Sequence, residues 1–232
     1  MPRDNLVLLP GMMCDHRLFE PQIVQLSDRY NITVPPIHQA DTMPAIAAAV
    51  LEAAPPEFAL AGLSMGGIVA MEVMCQASHR VTHLALLDTN PFAERDQVKI
   101  NRDRQIKDVS AGQLAMVMRD EMKPNYLVDG PDKAALLDLC LEMALDLGPD
   151  AFVSQALALR DRPDYTSVLE GVDCPILLLC GAEDKLCPPE RHHAMAAMMS
   201  QANLEIIEQA GHLPCLEQPA KVNAALHHLL EI

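Results

Sequence analysis

The chain has 232 residues and a net charge of −15, with 50% of its residues apolar. Such a composition excludes a disordered or low-complexity scaffold. The acidity argues against general binding to nucleic acid or an anionic membrane, which needs a basic face. Four Phe, three Tyr and no Trp leave too few aromatic rings for a base-stacking platform.

Residues 5–9 form an apolar run stopped by Pro10-Gly11, which predicts a buried strand. Only four apolar residues, Leu6 to Leu9, precede Pro10. No signal peptide is therefore expected, and no apolar run approaches the roughly 18 residues of a membrane span. Helical spacing follows over 17–26, then a second strand at 31–34 and an alanine-rich helix at 43–54 ended by Pro55-Pro56. A third strand at 58–61 runs straight into Gly62-Leu63-Ser64-Met65-Gly66 and a helix to about Ser78, and a fourth strand covers 81–87.

From 91 to 165 the pattern changes to helices, at 94–108, 110–122, 132–147 and 149–160, with 10 of the 17 basic residues of the chain. Alternation then resumes, with strands at 175–180 and 204–207 and helices at 189–200 and 217–231. Alternating strand and helix predicts an α/β fold with a mostly parallel sheet covered on both faces. The expected organisation is one α/β catalytic domain, 1–90 and 166–232, with a helical cap at 91–165 inserted between strands. The seven cysteines are odd in number and form no CxxC pair. They read as reduced thiols of a cytoplasmic protein.

Residues 62–66 match GxSxG between a strand and a helix. A sharp strand–Ser–helix turn lifts the hydroxyl of Ser64 above the sheet, and glycines two residues either side avoid collision. A serine needs a general base to become a useful nucleophile. His212, in Gly211-His212-Leu213-Pro214, follows the last strand on the side where open parallel sheets bind ligands. His192, His193, His227 and His228 fall on predicted helices and are expected to be exposed; His16 lies near the first loop. The acid that orients the imidazole is expected to be Asp184, just past the strand at 175–180. Asp88, at the end of the fourth strand, is the alternative, and Glu183 would point differently.

The chain order Ser64, Asp184, His212, together with the loop after the first strand, the helical insertion and the 181–188 segment, resembles the α/β-hydrolase superfamily, in its small esterase-like branch. The resemblance implies a sheet of about six strands and two backbone donors to an oxyanion hole, the amides of Met65 and Met12. Pro10 stands where many members carry His, so Met13 remains an alternative to Met12. A serine at 64 separates the chain from the haloalkane dehalogenase and epoxide hydrolase branches, which use Asp there. The activity implied is carboxylesterase-like cleavage of small or medium esters through an acyl-enzyme, on a small-molecule acyl substrate, with no metal or organic cofactor, no nucleic acid and no membrane. Thioesterase, lactonase and carbon–carbon hydrolase or lyase activities share the same triad. A non-catalytic ligand receptor on the same scaffold is a further alternative.

Three secondary expectations accompany this. Met12, Met13 and Met65, with Met116, Met118, Met122 and Met143 of the cap, read either as an adaptable aliphatic pocket or, for the cap methionines, as core filler. Cys14, Cys187 and Cys215, each close in sequence to a site residue, read either as unrelated small residues or as thiols whose modification would crowd the site. Arg95, Lys99 and Arg102 lie at helical spacing, giving either a solvated face or a docking face for an acidic substrate.

Overall fold

The computed structural model describes residues 3–199 and 201–231. Met1, Pro2, Ser200 and Ile232 lie outside the described residues, and with Ser200 the last position of the helix predicted over 189–200. Six strands, β1 (Asp4–Leu9), β2 (Tyr30–Thr33), β3 (Phe58–Leu63), β4 (Val81–Leu87), β5 (Ile176–Gly181) and β6 (Ala202–Ile207), form one sheet in the order β2-β1-β3-β4-β5-β6. Every adjacent pair is parallel. The central strands are buried on both faces, which is why they read as continuous apolar runs.

Successive side chains of a strand point to opposite faces, and the two cores follow that alternation. Val7, Leu9, Leu60, Leu86 and Leu178 enter one core; Leu6, Leu8, Ala61, Leu87 and Leu179 enter the other. Helices α1 (Glu20–Leu26) and α10 (Pro219–Leu230) complete the second core. The first is covered by α2 (Met43–Ala53), α3 (Met65–Ala77) and α8 (Pro189–Met198).

Between β4 and β5 lie α4 (Asp96–Ser110), α5 (Leu114–Met116), α6 (Lys133–Arg160) and α7 (Thr166–Leu169). The helix predicted at 110–122 is a correction. Gly112, at φ 88°, ends α4, and the short α5 passes into a wide π-helical segment, Val117–Met122, followed by a 3-10 turn at Lys123–Asn125. The helices predicted at 132–147 and 149–160 form α6, broken where Gly148 adopts φ 83° before Pro149. Helices α9 (Pro214–Glu217) and α10 divide the last predicted helix at Gln218. Among the described residues no helix is long and apolar enough to cross a membrane.

The proposed basic face on α4 is also corrected. Glu94 is shared between Arg102 at 3.0 Å and Arg162 at 2.8 Å, and all three side chains are largely buried. Arg102 is thus committed to an internal ion pair, while Arg95 stays exposed.

Candidate active site

Ser64 joins β3 to α3 with φ 54° and ψ −114°, a conformation that costs a non-glycine residue free energy and persists because its surroundings hold it. Its amide donates to Leu87 O at 2.9 Å, continuing the sheet by one bond. Its carbonyl accepts from Thr89 Oγ1 at 2.8 Å. Behind it, Gly66 packs so tightly against the carbonyl oxygens of Leu9 and Pro10 that a Cβ has no space. The turn is therefore clamped from the end of β1, from β4 and from Thr89, two residues past β4.

Asp184 lies between β5 and α8, and His212 between β6 and α9, so the carboxyl ends of three parallel strands deliver three side chains to one place. His212 Nε2 is 2.9 Å from Ser64 Oγ, and Nδ1 is 2.8 Å from Asp184 Oδ2. The second carboxylate oxygen of Asp184 accepts from the amides of Leu186 at 2.8 Å and Cys187 at 3.0 Å. Burial by itself would raise this carboxyl. The His212 ring and its hydrogen bond, with the two amides, outweigh burial and hold it below the usual carboxylate value. Asp184 thus remains an anion while buried, with every oxygen bonded.

Asp88, the alternative acid, is fully buried with one oxygen accepting from the amide of Gly181 at 2.9 Å and the other unpartnered among the described residues. Burial and the neighbouring Asp184 charge push it well above the ordinary carboxylate range. No bond joins it to His212 among the described residues; the carboxylate bonded to His212 is that of Asp184.

Of the two candidate oxyanion amides in the first loop, that of Met13 already donates to Gln155 Oε1 at 2.8 Å. Met13 itself has φ 56°. Met65 opens α3, where the first amides have no intrahelical acceptor. A cavity of about 60 Å³ opens at the serine, lined among others by Met12, Ser64, Met122, Tyr126 and His212.

Of the seven methionines expected around the site, only Met12 and Met122 line this cavity. Met13, Met65, Met118 and Met143 are fully buried core residues, so the core-filler reading holds for Met118 and Met143, and Met13 and Met65 do not line the pocket. His192 is likewise corrected: it is fully buried, its Nε2 accepting from the Thr89 amide at 3.3 Å. Burial lowers its imidazole to about 4, so it stays neutral. It supports Thr89, which in turn holds the Ser64 carbonyl; His193 is exposed as expected.

Thr89, Gln155 and Tyr126 escaped sequence reading. Gln155 alone left a trace, as an amide within the apolar run Ala151–Leu159. Asp184, Cys187 and His212 bring ligand-type atoms within 4.8 Å of one another. His212 and Asp184 are bonded to each other and His212 to Ser64, and burial pushes the Cys187 thiol up to about 12.

Cys14, Cys187 and Cys215 are buried, and burial raises all three thiols. The expected crowding by thiol modification therefore has no reactive group to act through, because the thiolate is the nucleophile. Native protein treated with iodoacetamide is expected to be alkylated at exposed Cys75, with these three untouched until denaturant is added. Peptide mass spectrometry reads the pattern, and early labelling of Cys187 would contradict it.

Comparison with known proteins agrees with this architecture. The profile of the alpha/beta hydrolase family matches residues 6–225. An esterase from Thermogutta terrifontis superposes with a TM-score of 0.89 at 28% identity, over 98% of this chain and 89% of that one. The biotin biosynthesis bifunctional protein BioHC of Cellvibrio japonicus is 25% identical over 100% of this chain and 48% of its own length. The pimeloyl-[acyl-carrier protein] methyl ester esterase of Aromatoleum aromaticum is 25% identical over 94% of this chain and 95% of its own. The chain thus spans about half the length of some curated relatives and nearly all of others. Fold, strand order and profile together make the chain a member of the alpha/beta hydrolase family.

Proposed function

We propose that the chain is a serine hydrolase that cleaves carboxylic esters of small or medium size through Ser64, His212 and Asp184. The observation that carries this is the single imidazole bridging Ser64 Oγ at 2.9 Å and Asp184 at 2.8 Å. His212 Nε2 takes the serine proton as Oγ attacks the ester carbonyl. Asp184 holds the Nδ1 proton and stabilises the imidazolium. The amides of Met65 and Met12 receive the oxyanion; the Met13 amide, engaged by Gln155, does not compete for that role. Each such donor typically contributes ~3–4 kcal/mol to the transition state. Collapse of the tetrahedral adduct expels the alcohol, protonated by His212. A water deprotonated by the same imidazole then releases the acid and restores Ser64.

The segment 91–165 serves as a cap on the catalytic body formed by 1–90 and 166–232, with Met122 and Tyr126 reaching the serine cavity. That cavity, about 60 Å³, holds only a few water-sized groups. A short acyl or alkyl group fits it, in keeping with relatives named as esterases, one of them for a methyl ester. The seven free cysteines suit a reducing compartment, and we place the protein in the cytoplasm.

A fluorophosphonate probe is expected to label Ser64 alone. A panel of acetate, butyrate and octanoate esters with matching thioesters and lactones is expected to show fastest turnover on the short oxygen esters. Absence of labelling on folded protein sinks the covalent mechanism. A clear preference for thioesters or lactones reassigns the substrate but keeps the triad.

A further inference from the structure

Glu217, at the end of α9, reaches back over the loop that carries His212. Its Oε2 accepts from the amides of Gly211 at 2.8 Å and Leu213 at 3.3 Å, the residues on either side of His212. Its Oε1 accepts from the amide of Val128 at 2.8 Å, in the segment between β4 and β5. The amide of His212 itself donates to the carbonyl of Tyr126 at 2.7 Å. Three consecutive amides, 211 to 213, are thus fixed alternately by Glu217 and by the 126–128 segment. Gly211 presses against that segment, since a Cβ there would stand 2.7 Å from Tyr126 O.

We infer that Glu217 is a positioning residue that couples the 126–128 segment of the cap to the alignment of His212, resting on the triad proposed above. One carboxylate bonds both parts, so displacing the segment pulls on the imidazole, and seating it aligns the imidazole. Tyr126 lines the serine cavity while its carbonyl holds the His212 backbone. A substrate group pressing on Tyr126 therefore acts directly on the base. Burial raises the Glu217 carboxyl above its ordinary value against the pull of the three amides. The structure thus keeps an ionisable group here at a cost, where a neutral acceptor would be cheaper to bury.

Glu217→Gln conserves shape but has one acceptor oxygen. Its NH2 must face either the Val128 amide or the pair at 211 and 213. The expected result is a fall in kcat of roughly 10- to 100-fold with KM little changed, as for a small misplacement of a catalytic group. The low-field proton resonance of the His212–Asp184 hydrogen bond should broaden or vanish. Val128→Pro removes the cap-side donor, while also fixing the backbone at 127–128, and should lower kcat too. Glu183→Gln, which faces the same surface cavity as Glu217, should leave both readouts unchanged.

Unchanged kcat and an intact low-field proton in Glu217→Gln would overturn the inference. Loss in Glu217→Gln with none in Val128→Pro would overturn the coupling to the cap. The proton resonance needs no substrate, so it tests the coupling even if wild-type protein proves inactive on every ester, a result that would instead count against the proposed hydrolase.

Discussion

Ser64→Ala should reduce ester turnover by roughly 10⁵- to 10⁶-fold in kcat, the scale seen when a triad nucleophile is deleted. The loss is large because the three groups act as one unit. Without Oγ, His212 at Nε2 has no proton to accept and Asp184 orients a base with no task. Residual turnover would come from the oxyanion amides and from substrate positioning alone. The same position carries a second, opposite expectation. Ser64 sits at φ 54° in a region disfavoured for any residue with a Cβ. Ser64→Gly should therefore be as inactive as Ser64→Ala yet more stable than wild type by about 1 kcal/mol. Steady-state kinetics and urea unfolding of the two variants check both halves. Wild-type turnover in Ser64→Ala would remove the serine mechanism. A Ser64→Gly variant less stable than Ser64→Ala would show that the turn stores no strain.

Gly66→Ala should unfold the region that makes the site rather than alter its chemistry. The added methyl meets the carbonyl oxygens of Leu9 and Pro10, which are backbone atoms and cannot rotate away. Either α3 lifts from the end of β1 or the first loop moves, and both carry a proposed oxyanion donor. A destabilisation of about 3 kcal/mol is expected, at the upper end for overpacking, which for a chain of this size lowers Tm by roughly 6–12 °C. Gly130→Ala is the matched control, since nothing lies within 4 Å of a Cβ there, and its effect should stay within about 0.5 kcal/mol. Calorimetry of the pair decides the matter, and equal Tm values for both would refute the clamp on the turn.

The sequence by itself determined the sheet and the identity of the three bridged side chains. Apolar runs bounded by Pro and Gly can only be paid for energetically inside a parallel sheet, so all six strands were legible to within a few residues. Ser64, Asp184 and His212 were legible because each lies in the turn or loop beyond the carboxyl end of such a strand, and those ends converge. The preference for Asp184 over Asp88 was partly legible from chain order, and the bond from His212 to Asp184 at 2.8 Å supports it. The helical segment was read less well: Gly112 and Gly148 break helices through positive φ, whereas the spacing of their apolar neighbours continues unbroken.

Only the tertiary structure decided what surrounds the triad. His192 looked exposed because one helix position carries no information about what packs on it, and α8 turns it under Thr89. Gln155 acts 142 residues from Met13, and Glu217 acts 89 residues from Val128. Neither pairing has a local pattern, because a hydrogen bond depends on where the chain returns in space and not on spacing along it. Local patterns therefore located the three bridged side chains, and the long-range bonds that surround them required the folded chain.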